Sequence, residues 1–402
     1  MERVAISPRA GWKGFAEKVG FRFHTIDGDP YWDESAYYRF SLRQIERDLE
    51  DPTAELHEMA LDLVARAARD ERWMREFGVS DEWADAVAAS WTQGDPHLYG
   101  RMDFSYSGRG PAKLLEFNYD TPTSLFETGF FQWVWLEDQR LTGALPAHAD
   151  QFNSLQDRLE QAFRELDLSV PLHLTAVPDS EEDKGTVEYI ADLARQAGVS
   201  VRLVTIDQIG AVSVAAEGAS HHDGNAALQL VGIDGESIAA LFKLYPWEFL
   251  IVEPFSAAIR SSETLWFEPL WKLLLSNKMA LSAMWKAYPG HPNLLEARMV
   301  GVSPGEDPGK PPPGWVFKPQ FSREGANVRL TTEDGVEERM DGPYGDGLWI
   351  AQRLARLPEF DGHHTVIGSW VVGDTPAGIG IREDRHAITR DLSRFIPHAI
   401  ID

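Results

Sequence analysis

Residues 101–124 read RMDFSYSGRGPAKLLEFNYDTPTS, and the rest of the chain is best understood outward from this stretch. A central Gly-Arg-Gly-Pro supplies a turn, and alternating residues on each side predict the two strands of a β-hairpin. Arg101 and Asp103 share one face of the first strand, because strand side chains repeat every second residue. Glu116 and Asn118 share one face of the second strand for the same reason. The pattern predicts that these four side chains meet if the strands pair.

The predicted patch joins a cation, an amide and two or three carboxylates, since Asp120 follows in step with Asn118. Oxygen ligands of this kind suit Mg²⁺, which commonly takes one or two carboxylates and completes its shell with water and phosphate. The alternative is an ordinary antiparallel pair whose polar residues face solvent. Apolar residues at 114–117 and 122–131 favour the ligand site, because unpaired carboxylates are costly against apolar walls.

The composition indicates a folded protein with a strong negative charge. Among 402 residues, 43% are hydrophobic, with 14 Trp and 20 Phe, which supports a large core and argues against global disorder. The 38 basic and 63 acidic side chains leave a net charge of −25. A field of that sign opposes binding to nucleic acid or to an anionic membrane, so neither is an expected partner.

Cysteine is absent, which excludes disulfides, thiolate zinc sites and a cysteine nucleophile. The sequence contains no stretch of 18 apolar residues and no charged-then-apolar leader at its first residues. These features predict a soluble, unexported protein, and we expect it in the cytoplasm. The oligomeric state stays open.

Helical and strand periods organise the rest of the chain. Asp51 is predicted to cap a helix whose first residue is Pro52. Apolar residues at four-residue spacing predict a second helix over 81–92. A strand, a helix and a second strand follow one another over 172–206, which predicts a βαβ unit without a glycine-rich phosphate motif.

Two further segments are predicted to be irregular. Residues 211–226 are rich in Ala, Gly and Ser and predict an exposed loop. His221 and His222 within it favour solvated side chains over a metal site, because adjacent residues seldom point at one ion. Asp234 and Gly235 predict the turn of a hairpin.

A second polar cluster lies in the C-terminal third of the chain. Residues 315–328 predict a strand ending at Lys318, followed by a small-residue loop whose N–H groups can cradle phosphate. Lys278 stands near a helix start and can meet a phosphate, although an exposed helical lysine is the commoner case. A hairpin is predicted over 367–384, and its glycine-rich second strand leads to Arg382, a guanidinium suited to phosphate or carboxylate.

With these segments in view, the chain resembles the glutathionylspermidine synthase family, in its short stand-alone bacterial form of acid–amine ligases. The resemblance runs essentially end to end, and its most specific segments are residues 114–125, 242–249, 318–328 and 378–384. It implies an α/β (α+β) protein with a circularly permuted ATP-grasp fold and an inserted pre-ATP-grasp βαβ domain. The implied domains are 1–160 with the Mg²⁺-binding hairpin, 161–255 as the inserted domain, and 256–402 with the nucleotide-binding lysines, lid and C-terminal catalytic strand.

The resemblance also implies roles for individual residues. The implied catalytic residues, which stabilise the transferring phosphoryl group, are Arg101 and Arg382. The implied ligands of two Mg²⁺ ions are Asp103, Glu116 and Asn118. The implied ATP-binding residues are Lys278, Lys318, the lid residues Ser322, Arg323, Glu324, Gly325 and Asn327, and the adenine-contacting hinge Gln352, Arg353, Leu354 and Ala355. The implied substrate residues are Thr121, Thr123, Lys243, Trp247 and Glu248.

The implied activity is ATP-dependent carboxylate–amine ligation. ATP converts the carboxylate of a peptide or amino acid into an acyl phosphate, and an amine such as a polyamine then forms the amide. The bifunctional relatives carry an amidase half with a cysteine nucleophile, and since this sequence has no cysteine, amide hydrolysis is not implied. Two alternatives stay open, a small-molecule kinase on the same fold and a non-catalytic nucleotide or polyamine sensor. The identity of the acid and the amine also stays open.

Overall fold

The computed structural model describes residues 1–26, 28–214, 227–303, 305–390 and 393–402. In chain order its first helices are α1 (Trp12–Lys18), α2 (Leu42–Ile45), α3 (Asp51–Ala67), α4 (Glu71–Glu76), α5 (Asp81–Gln93) and α6 (Gln132–Leu141). They are followed by α7 (Leu155–Glu165), α8 (Glu181–Gln196), α9 (Trp247–Leu250), α10 (Ser256–Ser261), α11 (Leu273–Ser276) and α12 (Met279–Ala287). Turns of π-helix cover Glu46–Glu50 and Glu127–Phe131, and 3-10 turns cover Ile206–Gln208 and Leu270–Lys272.

Strands run through the same length of chain. The first are β1 (Glu2–Ala5), β2 (Thr25–Ile26), β3 (Asp29–Pro30), β4 (Ala36–Phe40), β5 (Tyr99–Ser105), β6 (Lys113–Asn118), β7 (Leu172–Ala176), β8 (Val201–Thr205), β9 (Gly210–Val214), β10 (Ala227–Val231) and β11 (Ala240–Leu244). The others are β12 (Leu265–Phe267), β13 (Ala297–Met299), β14 (Trp315–Pro319), β15 (Arg329–Thr331), β16 (Glu337–Arg339), β17 (Trp349–Arg353), β18 (Glu359–Phe360), β19 (His363–Val372), β20 (Thr375–Asp384), β21 (Arg394–Ile396) and β22 (His398–Ile400). The protein is therefore a mixed α/β structure with several sheets.

The predicted 101–124 hairpin is present as the antiparallel pair β5 and β6. It belongs to a sheet of order β21-β20-β19-β5-β6, in which β18 also pairs with β19. The register sets Arg101 opposite Asn118 and Asp103 opposite Glu116. Met102 is set opposite Phe117, and both side chains are buried in one hydrophobic cluster, because alternate residues point to the other face. The predicted C-terminal hairpin is present as β19 and β20, and β19 pairs with β5.

The prediction that Asp51 caps a helix is wrong, because α3 begins at Asp51 itself and continues a helical stretch that starts at Leu42. Ser41 is the N-cap of α2, where its side chain accepts from the Gln44 N–H at 3.3 Å and its own N–H donates to Gln44 Oε1 at 3.0 Å. A π-helical turn then leads into α3. Pro52 lacks the N–H of an interior helix position, and it is accommodated because it follows this turn, where the regular ladder is already interrupted.

A parallel sheet of order β12-β11-β7-β8 contains the predicted βαβ unit, with α8 as the crossover helix between β7 and β8. Ser180 caps α8 by accepting from the Asp183 N–H at 3.1 Å. The predicted turn at Asp234 and Gly235 is also present, and Gly235 has a φ of 77°. This turn leads to β11, which pairs in parallel with β7 and β12, so the strand after it joins the βαβ sheet.

The prediction of a loop over 211–226 is wrong for its first residues. Residues up to Val214 form β9, which pairs with β10 in a two-stranded antiparallel sheet. Val212 and Val214 alternate with small residues, and this period-two pattern was hidden by the Ala, Gly and Ser around it. The pair His221 and His222 lies outside the described residues.

A second antiparallel sheet, of order β13-β17-β14-β15-β16, carries Lys318 on β14 and Gln352 on β17. The predicted helix after Lys278 is present as α12, and that over 81–92 is present as α5. No helix within the described residues combines the length and the apolar character needed to cross a membrane.

Candidate active site

A cavity of about 410 Å³ lies between the sheet that holds β5 and β6 and the sheet that holds β14 and β17. Most of the predicted site residues line it, namely Arg101, Asp103, Glu116, Asn118, Thr121, Thr123, Lys318, Ser322, Arg323, Glu324, Gly325, Gln352, Arg353, Leu354, Ala355 and Arg382. The structure therefore brings the acidic hairpin and the basic C-terminal segments to one place.

The acidic group forms as the register of the hairpin requires. Asn118 Nδ2 donates to Asp103 Oδ2 at 3.0 Å and to Glu116 Oε1 at 3.3 Å, so the amide joins the two carboxylates. Arg101 donates two hydrogen bonds to Asp103, from Nε to Oδ1 at 2.7 Å and from Nη2 to Oδ2 at 3.1 Å. A fork of this geometry fixes the orientation of both side chains.

Arg101 is held on its other sides as well. Its Nη1 donates to the Thr123 carbonyl at 2.7 Å, and its guanidinium carbon lies 5.6 Å from the ring centre of Trp370. A Cβ at Gly368 would come within 2.7 Å of Arg101 Cδ, so glycine is required on the neighbouring strand. The guanidinium is thus preorganised at the wall of the cavity.

Two lysines approach the acidic group from the second sheet and its neighbouring helix. Lys278 Nζ lies 3.1 Å from Glu116 Oε2 and donates to the Ser322 carbonyl at 2.7 Å. Lys318 Nζ donates to the Leu115 carbonyl at 2.9 Å and to Gln352 Oε1 at 2.8 Å. Acidic and basic segments far apart in sequence therefore meet around one carboxylate.

Burial and these charges shift the pKa values of the group. Burial alone would raise the pKa of Glu116, but Lys278 and Lys318 outweigh it and lower that pKa to about 2. Burial lowers the pKa of Lys318 to about 8, against the opposing effect of Glu116. Burial also raises the pKa of Asp103, although Arg101 opposes that shift. Glu116 is therefore ionised at neutral pH.

The predicted lid loop is closed onto the cavity in this structure. Arg323 Nη1 donates to Thr121 Oγ1 at 2.8 Å, and its Nη2 donates to Glu248 Oε1 at 2.7 Å. Gly325 has a φ of 74°, and a Cβ there would come within 2.6 Å of the Thr389 carbonyl, so only glycine fits. Asn327 lies outside the lining and accepts from the Tyr344 N–H at 2.8 Å, which ties the end of the loop.

Two of the predicted substrate residues are kept away from the cavity. Lys243 is fully buried and forms an ion pair with Asp120, and burial lowers the pKa of this lysine. Trp247 is also fully buried, and its backbone N–H donates to Asp120 Oδ2 at 2.8 Å. Glu248 also lies outside the lining, and it accepts a hydrogen bond from Arg323 of the lid. Asp120 therefore does not join the carboxylate group, because the chain turns inward after Asn118.

Several lining residues were missed by sequence reasoning. The apolar lining comes from both sheets and their loops, namely Val316, Leu330, Leu357, Val366 and Ile388. Their sequence pattern is that of ordinary core residues, so nothing local marks them. Ser124 also lines the cavity, and its position directly after Thr123 was a signal that could have found it.

The donor set suits Mg²⁺. Within the part of the chain that the structure describes, no group of three or more His, Cys, Asp or Glu side chains could hold a metal ion. The predicted ligands are two carboxylates and an amide, which matches a cation that takes one or two carboxylates and fills its shell with phosphate and water. Asp103, Glu116 and Asn118 fit a metal that is bound together with a phosphate ligand.

Comparison with known proteins agrees with this site. The family model described as "Glutathionylspermidine synthase preATP-grasp" matches residues 3–401. A protein of Haemophilus influenzae named "Putative acid–amine ligase" is 38% identical over 396 residues, which are 95% of each chain. The chain therefore belongs to the glutathionylspermidine synthase family, and it is an enzyme of the acid–amine ligase class, which forms C–N bonds.

More distant relatives are longer than this chain. A trypanothione synthetase of Crithidia fasciculata is 26% identical over 83% of this chain and 52% of its own length. A bifunctional glutathionylspermidine synthetase/amidase of Escherichia coli is 25% identical over 94% of this chain and 60% of its own length. The chain thus spans between half and two thirds of these two proteins.

A solved structure shares the fold. The glutathione synthetase-like effector of Globodera pallida, determined without ligand, has a TM-score of 0.54 over 91% of this chain and 89% of its own. Its sequence identity is 12%, so the likeness concerns the fold alone. The mixed α/β fold is thus shared with that effector.

Proposed function

We propose that this enzyme is an ATP-dependent carboxylate–amine ligase that forms an amide through an acyl phosphate. The observation that carries the proposal is the position of Glu116, ionised between Lys278 and Lys318 and beside Asp103 at one cavity wall. A carboxylate is a poor acylating agent, because hydroxide leaves badly. A triphosphate bound by these lysines would supply the phosphoryl group that makes the carboxylate reactive.

The residues of the cavity have distinct parts in the proposed reaction. Lys278 and Lys318 bind the phosphates of ATP, and Arg101 and Arg382 stabilise the charge on the phosphoryl group in transfer. Asp103, Glu116 and Asn118 would hold Mg²⁺, which neutralises phosphate charge when bound. The number of ions is proposed as two. Closure of the 322–327 loop excludes water, which would otherwise hydrolyse the acyl phosphate.

The adenine would lie against the apolar wall of the second sheet, next to the segment 352–355. Gln352 fixes the wall next to this position. Its Oε1 accepts from Lys318, and its Nε2 donates to the Leu114 carbonyl at 3.2 Å. Thr121 and Thr123 line the same cavity, and their hydroxyls are the proposed contacts of the acid and the amine. The side chain of Glu248 orients Arg323 for the same substrates.

The proposed architecture is a circularly permuted ATP-grasp fold, in which the Mg²⁺-binding hairpin precedes the lysines in sequence. The proposed domains are 1–160, 161–255 and 256–402, with the βαβ unit as the inserted pre-ATP-grasp domain. One strand of its sheet, β12, lies beyond residue 255. We propose small-molecule substrates, a peptide or amino-acid carboxylate and an amine such as a polyamine, and a cytoplasmic location. The net charge of −25 favours a cationic amine.

An ADP-release screen of the purified protein tests this function. Glutathione, other peptides and amino acids are paired with spermidine and other polyamines, while inorganic phosphate and the mass of the product are followed. We expect ADP, inorganic phosphate and coupled product in equal amounts for at least one pair. ADP with the phosphate retained on a small molecule would indicate a kinase. ATP binding without turnover for any pair would indicate a sensor.

A further inference from the structure

A chain of three hydrogen-bonding groups leads from the cavity into the protein, and none of them was a predicted site residue. Ser124 lines the cavity, and its Oγ lies 3.1 Å from Tyr31 Oη. The Tyr31 hydroxyl donates to Glu127 Oε1 at 2.6 Å. Since Tyr31 gives its single proton to Glu127, the Ser124 hydroxyl must donate to Tyr31. A lone pair of Ser124 Oγ is then left to accept a proton from the cavity.

The backbone holds Ser124 in place beside the phosphoryl-binding arginine. Ser124 has a φ of 69°, an uncommon conformation for a residue other than glycine. Its carbonyl accepts from the Thr128 N–H at 3.2 Å and from Thr128 Oγ1 at 2.7 Å. The preceding carbonyl, of Thr123, accepts from Arg101. Backbone strain that the surroundings enforce in this way is characteristic of functional positions.

Glu127 is the last group of this hydrogen-bonded series, and its carboxylate is fully buried. Its Oε1 accepts from Tyr31, and its Oε2 is buried with no hydrogen-bond partner among the described residues. Burial raises the pKa of Glu127, against the lowering effects of the Tyr31 hydrogen bond and of Arg382 and Arg101. A carboxylate with a raised pKa is a stronger base and takes up a proton more readily, as a general base requires.

We propose that Ser124, Tyr31 and Glu127 form a proton relay that deprotonates the attacking amine, an inference that rests on the proposed ligase function. Primary alkyl amines have a pKa of about 10 and are ammonium ions at pH 7, without a lone pair for attack. One ammonium proton passes to Ser124 Oγ as the Ser124 proton moves to Tyr31 Oη and the Tyr31 proton moves to Glu127. The freed lone pair forms the C–N bond, the bond from the acyl carbon to phosphate breaks, and a second nitrogen proton leaves with the phosphate.

Comparing two nucleophiles tests the relay. Glutathione serves as the acid with ATP and Mg²⁺, and either spermidine or hydroxylamine serves as the nucleophile. Hydroxylamine is a weak base that is neutral at pH 7, so it traps an acyl phosphate as a hydroxamate without help from a base. In Glu127→Gln the amide oxygen still accepts from Tyr31 but takes no proton. We expect kcat with spermidine to fall about 10²-fold or more, with hydroxamate formation and the KM for ATP unchanged.

Two further variants control for structure. Tyr31→Phe breaks the relay at its middle, and we expect it to show the same selective loss. Tyr99→Phe removes a fully buried hydroxyl that has no hydrogen-bond partner among the described residues, and it should react with both nucleophiles as the wild type does.

The outcomes separate the relay from the ligase function on which it rests. Equal loss with both nucleophiles would overturn the relay, because Glu127 would then act on the arginines or on the fold. Unchanged coupling to spermidine in both relay variants would overturn it as well. A wild-type protein that forms neither hydroxamate nor amide with any acid and amine of the ADP-release screen would refute the ligase function, and the relay with it.

Discussion

Two buried lysines of this protein have similar positions in their strands but different hydrogen-bond partners. Lys243 and Lys318 each follow a phenylalanine in a fully buried strand, β11 and β14. Lys243 is 0% exposed and meets the carboxylate of Asp120, whereas Lys318 is 8% exposed and meets neutral acceptors at the cavity wall. We interpret the ion pair of Lys243 as stabilising the fold, and Lys318, which is held by neutral acceptors at the cavity wall, as available to a ligand.

The largest effect that would test this comparison is on stability. We expect Lys243→Ala to lower the free energy of unfolding by about 3–5 kcal/mol, because Asp120 would be left buried and uncompensated. Urea denaturation measures the loss. The double variant Lys243→Met with Asp120→Asn removes both charges and keeps an acceptor for the Trp247 N–H, so most of the stability should return. A single variant as stable as the wild type would contradict the structural role of Lys243.

The second effect is on activity. We expect Lys318→Ala to lower acid-dependent ADP release by about 10²-fold or more, since it removes a positive partner of the phosphates. Its stability should change less than that of Lys243→Ala, because Lys278 still neutralises Glu116. Lys310→Ala, at an exposed lysine paired with Glu337, is the matched control and should keep full activity. Wild-type turnover in the Lys318 variant would remove this lysine from the site.

The smallest effect sharpens the comparison through pH. The pKa of Lys318 is lowered by burial from 10.5 to about 8, so the folded protein loses this charge at a lower pH than the unfolded chain does. Calorimetry with MgADP should show affinity falling as the pH rises through about 8, because a neutral amine no longer attracts phosphate. Between a pH of about 8 and 10.5 this lysine is more protonated in the unfolded chain than in the folded protein. Its contribution to the free energy of unfolding of the ligand-free protein therefore increases as the pH rises through this range. In Lys318→Arg the guanidinium stays charged, and the fall in affinity over this range should disappear.

The residues that sequence reasoning placed well are those governed by local periodicity. The hairpin partners Arg101, Asp103, Glu116 and Asn118 were found because a period of two and a tight turn fix which residues share a face. The meeting of this hairpin with Lys318, two hundred residues later in the chain, came from the resemblance to the family. Periodicity alone holds no information about which of several sheets pack together.

The errors also have identifiable physical causes. In the sequence pattern Asp120 continues the alternation of β6. In the structure the strand ends at Asn118, and the Asp120 carboxylate forms a buried ion pair with Lys243. Asp51 and Pro52 carried the local signature of a helix start, and the continuous helical stretch from Ser41 overrode it. In each case a tertiary or medium-range contact outweighed a local preference.

By itself the sequence determined the strands, the turn between them and the chemistry of the acidic and basic segments, because those depend on neighbours a few residues apart. Only the tertiary structure decided which charges would be sealed in the core and which would face the cavity. It also decided that Tyr31, Ser124 and Glu127 would form one hydrogen-bonded chain. The physical reason is that the burial and partner of a charge depend on how distant segments pack, and packing is a property of the whole chain.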